Sequence, residues 1–254
     1  MSYESELSLA KSLAEEAGRI ALQFQRNGVS AELKADESPV TAADRACEKL
    51  IVEGLSKAYP GDGFLGEEGA HREGQSRRRW IIDPIDGTKD FLRGIPLWAI
   101  LIGLEDQGEI VAGVAYSPGQ RLMMSAAKGA GAWANGERVC VSGESDPAKA
   151  VLSFNGFNKA GVTRFGAGLL DWVGKFWCVR SLGGAVDAMM LAAGHADVWI
   201  EPNAQPWDLA PLKILIEEAG GRFGSFSGGN SIYDGNAWAC SPGIEAYVRE
   251  LVRD

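Results

Sequence analysis

Trp80-Ile81-Ile82-Asp83-Pro84-Ile85-Asp86-Gly87-Thr88 joins an apolar, strand-like run to two carboxylates three residues apart. Ile81 and Ile82 can anchor a strand in a core, and Pro84 sets a bend. Gly87 lets the backbone come close to an anion before a helix begins at Thr88. On such a turn the carboxylates can hold a hard cation while backbone N–H groups hold phosphate. Taken alone, Asp83 and Asp86 read equally well as caps of the helix at Thr88.

Two further acidic segments extend this reading. Phe64-Leu65-Gly66-Glu67-Glu68-Gly69 ends a short apolar stretch in paired glutamates, which on their own read as a solvated loop pair. Pro206-Trp207-Asp208-Leu209-Ala210 opens a helix that runs to Glu217-Glu218-Ala219-Gly220-Gly221, with glycines where a C-cap belongs. Asp208 also reads as a plain N-cap, and Thr88 as a turn hydroxyl. The three acidic segments are far apart in the chain and can cooperate only if the fold gathers them.

Outward from these segments, Leu7, Ala10, Leu13, Ala14, Ala17, Ile20, Ala21 and Phe24 recur at helical spacing before the stop signal Asn27-Gly28. A second helix is expected from Thr41 as N-cap to about Ala58. Asp44 stands three residues after Thr41, as in a capping box. Trp98–Leu104, Ile110–Tyr116 and Arg121–Ala127 read as a meander of strands. Gly183–Ala193 reads as a buried helix, Asp197–Glu201 as a strand and Asp208–Ala219 as a helix. This mixture predicts a layered α/β sandwich rather than a doubly wound sheet. No repeat or linker divides residues 1–254, which predicts a single domain.

The formal charge of −9 opposes non-specific nucleic-acid binding, which rests on lysines and arginines neutralising phosphates. An acidic protein that acts on phosphate esters needs cations to reverse the local field. Arg77-Arg78-Arg79 reads as a solvated edge before the buried strand. Cys47, Cys140, Cys178 and Cys240 lack the close spacing of a zinc or redox pair and are expected to be reduced core residues. His71 and His195 stand in no ligand or nucleophile pattern and read as surface or satisfied polar groups. With no signal segment and no long apolar run, the expected location is cytoplasmic, without membrane insertion.

At Gly66-Glu67-Glu68, Asp83-Pro84-Ile85-Asp86-Gly87-Thr88 and Trp207-Asp208 the chain resembles the inositol monophosphatase family. The likeness runs from about Lys34 to Asn236. It includes Ser38-Pro39-Val40-Thr41-Ala42-Ala43-Asp44, Arg180-Ser181-Leu182-Gly183 and Glu201. The resemblance implies an alternating helix–sheet sandwich of the inositol monophosphatase and sugar-bisphosphatase type, often a homodimer. It also implies a phosphatase that uses about two or three Mg2+ ions. Asp83 would bridge two ions, with Glu67 and the Ile85 carbonyl on the first and Asp86 and Asp208 on the second. Glu67 and Thr88 would orient the attacking water, with Asp44 beside Thr88. Gly87, Thr88, Gly183, Gly184, Ala185, Glu201 and Asp208 would contact substrate.

Within that family, Thr88-Lys89-Asp90-Phe91-Leu92-Arg93-Gly94-Ile95-Pro96-Leu97-Trp98-Ala99 and Glu201-Pro202 are most similar to the histidinol-phosphate phosphatase branch. That implies a small phosphorylated alcohol, histidinol phosphate, with Glu201 meeting its ammonium. Gly184 departs from that branch, which often carries an acidic residue there. Inositol and related polyol phosphates, and a phosphoadenosine-type nucleotide, are the alternatives. A regulatory binding protein retaining the fold is the alternative from another class.

Overall fold

The computed structural model describes residues 3–28, 30–33, 39–156, 165, 166 and 168–252. Lys34 and Ser38 lie outside them. Helix α1 (Glu4–Asn27) buries Ala10, Leu13, Ala14, Ala17 and Ala21 along one face, as its periodicity requires. A short hairpin of β1 (Ala31–Leu33) and β2 (Pro39–Thr41) leads into α2 (Ala42–Ala58). The start of α2 is fixed by a capping box. Thr41 Oγ1 accepts from Ala43 N at 3.1 Å, and Asp44 Oδ2 accepts from Thr41 N at 2.9 Å.

Next come β3 (Gly63–Gly66), β4 (His71–Arg72), β5 (Arg78–Asp86) and helix α3 (Thr88–Arg93). After α3 follow β6 (Ala99–Asp106), β7 (Glu109–Ser117), β8 (Leu122–Ala127), β9 (Gly131–Ala134) and β10 (Glu137–Val139). They form an eight-stranded sheet of order β10-β9-β8-β7-β6-β5-β3-β4, parallel only between β3 and β5. The expected meander is β6 to β8.

The rest of the chain supplies β11 (Val151–Phe154), α4 (Gly168–Val173), β12 (Cys178–Arg180), α5 (Gly184–Ala192) and β13 (Val198–Glu201). It continues with α6 (Pro206–Glu218), β14 (Arg222–Gly224), β15 (Ala237–Cys240) and α7 (Glu245–Val252). Their strands form a mixed sheet of order β12-β11-β13-β15-β14.

Strand alternation sorts the core into layers. On β5, Trp80 and Ile82 pack towards α1 and α2, whereas Ile81 packs towards α5 and α6. The second sheet packs its Leu152, Val198 and Trp238 against Trp172 of α4 and Val248 of α7. The result is a helix–sheet–helix–sheet–helix sandwich, as the resemblance implied. Helix α6 lies almost on the backbone of the large sheet. A Cβ placed on Gly103 would come within 2.8 Å of Ala210 Cβ, and one on Gly113 within 2.7 Å of Pro211 Cα. Gly103 and Gly113 are direct cross-strand partners. The two strands therefore share one bare patch on which α6 rests.

Three expectations need correction. Arg77 is exposed, but Arg78 and Arg79 are half-buried in β5. Arg78 pairs with Glu6 at 2.8 Å and Arg79 with Glu105 at 2.7 Å, because the start of β5 lies near the first turn of α1 and beside β6, which carry these carboxylates. Asp208 is not the N-cap of α6: that residue is Gln205, and Asp208 closes the box from the third helical position. Of the cysteines, only Cys47 and Cys240 are core residues. Cys140 is exposed where the chain leaves the edge strand β10, and Cys178 is half-buried on the edge strand β12.

These cysteines make a direct prediction. Burial pushes the Cys47 and Cys240 thiols up to about 12, with the nearby Asp44 charge adding to the rise at Cys47 and that of Glu245 at Cys240. A thiol reagent at pH 8 should modify native protein at Cys140 and leave Cys47 and Cys240 untouched until unfolding, which peptide mass mapping would read. Among the described residues, no helix is long and apolar enough to cross a membrane.

Candidate active site

Asp83 and Asp86 occupy the last residues of β5. Asp83 pairs with Leu101 and Asp86 with Ala99, so one extra residue is accommodated between them. This is a β-bulge within the strand, where a turn beyond it was expected. Pro84 has no N–H to give the ladder, and the Ile85 N–H is taken by Asp83 Oδ1 at 2.9 Å. The kink re-aims the chain so that Asp83 and Asp86 face the same side. Gly87 then adopts φ +86° as the N-cap of α3, leaving no room for a side chain: a Cβ would lie 3.1 Å from the Leu97 carbonyl.

Helix α6 brings the third carboxylate. One oxygen each from Asp83, Asp86 and Asp208 lies within 4.8 Å of the others. Asp208 Oδ2 also accepts from Gln205 N at 2.8 Å, and Asp86 Oδ2 accepts from Ala185 N at 2.9 Å. The cluster therefore sits at the N-terminal ends of both α5 and α6, whose dipoles favour negative charge there. Glu67 follows β3, the parallel neighbour of β5, and its carboxyl lies within hydrogen-bonding reach of Asp83.

Electrostatically the carboxylates of the cluster oppose one another. Burial, then the Glu67, Asp86 and Asp208 charges, pushes the Asp83 carboxyl well above the usual range. Burial and the Asp86 charge do the same to Asp208, and Glu201 adds to it. Such crowding of oxygen donors, with no histidine or cysteine among them, fits a hard divalent cation. The donor set does not suit a soft metal.

Of the remaining predicted residues, Thr88 Oγ1 donates to the Ile85 carbonyl at 3.2 Å. Asp44 is buried, with Oδ1 lacking a hydrogen-bond partner among the described residues, and its carboxyl is pushed up mainly by burial. Helix α3 packs against β2, which carries the Asp44 cap. Gly183 and Gly184 enter α5 beside the cluster: a Cβ on Gly184 would meet Asp86 Oδ1 at 3.3 Å. Glu201 is buried at the end of β13. Glu68 turns its N–H to Glu48, and His71 and His195 are exposed.

Sequence reasoning passed over three groups. Glu48 is buried and accepts from Glu68 N at 2.8 Å and Ala70 N at 2.9 Å, which pins the Glu67 loop. Asp187 is buried and accepts from the Leu182 and Gly183 amides, with a weaker contribution from the Ser153 hydroxyl that falls short of a full hydrogen bond. Burial raises its carboxyl to about 6. Asn155 donates to Glu201. Asp187 had a signal, an acid in the first turn of a helix; Glu48 and Asn155 had none.

The inositol monophosphatase family profile matches residues 2–253. The chain belongs to the inositol monophosphatase family. It is 38% identical over 248 residues to a histidinol-phosphatase of Mycobacterium tuberculosis, covering 94% of each chain. It is 36% identical over 260 residues to an inositol-1-monophosphatase of Mesorhizobium japonicum, covering 98% of this chain and 92% of that one. The crystal structure of the extragenic suppressor protein suhB from Bartonella henselae superposes with a TM-score of 0.92 at 33% identity, covering 98% and 99% of the two chains. Inositol monophosphatase family members are phosphatases, in general metal-dependent, and this chain is a phosphoric monoester hydrolase of that kind.

Proposed function

We propose that the chain hydrolyses histidinol phosphate to histidinol, with magnesium as the metal, and that residues 1–254 act as one catalytic domain in the cytoplasm. Asp83, Asp86, Asp208, Glu67 and the Ile85 carbonyl would hold the ions, about two or three, whose charge would make water more acidic and stabilise the departing alkoxide. Thr88 and Glu67 orient the attacking water, with Asp44 behind Thr88. The Gly87 and Thr88 amides donate to the phosphate, and Gly183, Gly184 and Ala185 border the substrate beside Asp86. The exposed side chains of Leu170 on α4 and of Trp177 just before the edge strand β12, 75% and 72% accessible, support a homodimer through this part of the surface.

The observation that carries the substrate is Glu201. It is a buried carboxylate whose charge reaches both Asp208 and Asp187 from the end of β13. There it can meet the ammonium of an amino alcohol while the phosphate remains at the acidic cluster. An inositol or other polyol phosphate is the alternative, since a carboxylate also accepts from hydroxyls. A hydrolysis panel at fixed magnesium, comparing histidinol phosphate, inositol monophosphates and phosphoadenosine phosphate, tests the choice. Histidinol phosphate should have the largest kcat/KM; a tenfold preference for an inositol phosphate overturns the substrate and keeps the phosphatase.

Glu201→Gln should lower kcat/KM for histidinol phosphate by about tenfold or more, through the lost charge-assisted contact. Turnover of a neutral aryl phosphate should change by less than about twofold. Equal losses for both would mean that Glu201 supports the site in general.

A further inference from the structure

A carboxylate that selects a leaving group has to be aimed, and among the described residues the Asn155 side chain donates to Glu201. Asn155 follows β11, whose parallel neighbour β13 ends in Glu201. The Asn155 N–H donates to the Ile200 carbonyl at 3.0 Å, which continues the ladder one residue beyond the strand. That bond sets the Asn155 side chain beside Glu201, and its Nδ2 donates to Glu201 Oε2. A carboxylate only accepts, so the amide must turn its nitrogen to it.

Gly184 connects this pair to the reacting centre. A Cβ added there would lie 3.3 Å from Asp86 Oδ1 and 3.5 Å from Asn155 Nδ2. The Asn155 amide and the Asp86 carboxylate therefore both lie against Gly184, so the Asn155–Glu201 pair is a neighbour of the acidic cluster. A leaving group attached to a phosphate at the acidic cluster would have this pair within its surroundings.

We infer that Asn155 is a specificity-determining residue: it holds Glu201 in the orientation that selects the alcohol of the substrate. The inference rests on Glu201 meeting the leaving group. Asn155 is a positioning residue, and its effect passes through Glu201. Without the amide, a buried carboxylate loses a donor and can rotate away from the leaving group.

The test is a double-mutant cycle on the magnesium-loaded enzyme, using Asn155→Ala, Glu201→Gln and the pair, with histidinol phosphate and a neutral aryl phosphate as substrates. Asn155→Ala should lower kcat/KM for histidinol phosphate by about tenfold, mainly through KM, and leave the aryl phosphate within about twofold. The double variant should be no worse than Glu201→Gln alone. Asn155→Leu is close in size and removes the donor without setting a charge beside Glu201. It should show the same selective loss and decides the matter if the alanine variant does not fold. Selective loss in Glu201→Gln with equal or additive loss in the Asn155 variants overturns the inference alone. Equal losses on both substrates in Glu201→Gln and the Asn155 variants overturn the reading of Glu201 itself. A selective Asn155 effect that persists with Glu201→Gln overturns the route through Glu201.

Discussion

Asp83→Asn should abolish turnover by at least about a thousandfold, roughly 4 kcal/mol of transition-state stabilisation, while leaving the fold intact. Asp83 stands at the centre of the carboxylates: Glu67 lies within hydrogen-bonding reach, and Asp86 and Asp208 oxygens lie within 4.8 Å. An asparagine keeps the shape and retains an oxygen for the Ile85 N–H, but it removes the shared negative charge. The same change should not weaken the metal-free fold. Burial and three neighbouring acids raise the Asp83 carboxyl above its unfolded value, so its share of stability is greatest at low pH and falls as pH rises through the folded pKa. Ionising it at neutral pH therefore costs stability, and the asparagine removes that cost. The measurement is kcat with saturating magnesium, together with melting curves in chelator and in magnesium. The variant should melt at or above the native temperature in chelator and lose most of the magnesium-induced rise. Full activity in the chelator-treated variant would sink the metal mechanism.

How much of this was readable beforehand depends on how local each feature is. Helices α1 and α2 were legible because their apolar spacing and the Thr41–Asp44 box act within a few residues. The meander β6–β8 was legible because its strands are long and apolar and its connections carry turn residues. The bulge at Asp83–Asp86 was not, because it is a property of the pairing between β5 and β6 and appears only in their register. The second sheet was mostly hidden for the same reason. Its strands have three or four residues, and their order, β12-β11-β13-β15-β14, is set by partners far away in sequence. At the site, the acidic residues stood out as patterned side chains. Asn155 and Glu48 did not, since a single amide or acid gains its meaning from what the fold places opposite it.

Gly113 is the furthest case from local legibility, and changing it should produce the second large effect. Gly113→Ala should lower the melting temperature by about 5–10 °C, corresponding to overpacking of about 2–3 kcal/mol in a chain of this size. The added Cβ would sit 2.6 Å from Ile214 Cγ2, 2.7 Å from Pro211 Cα and 2.8 Å from the Pro211 carbonyl oxygen. Two of those atoms are helix backbone, so a rotamer change cannot relieve the clash and α6 must move. Asp208 lies in the first turn of that helix, three residues before Pro211, and the displacement should carry its carboxylate away from Asp83 and Asp86. A shift of about 1 Å at a reacting centre costs about a hundredfold in rate, so kcat should fall by that order in protein that remains folded. Gly136→Ala is the control: Gly136, unlike Gly113, has a positive φ, +87°, and nothing lies within 4 Å of its added Cβ. It carries the strain of an alanine in the left-handed region without moving α6. It should lose some stability and retain kcat. Comparable loss of kcat in both variants, or native kcat in a folded Gly113→Ala protein, would show that the seat of α6 on the sheet does not set the position of Asp208.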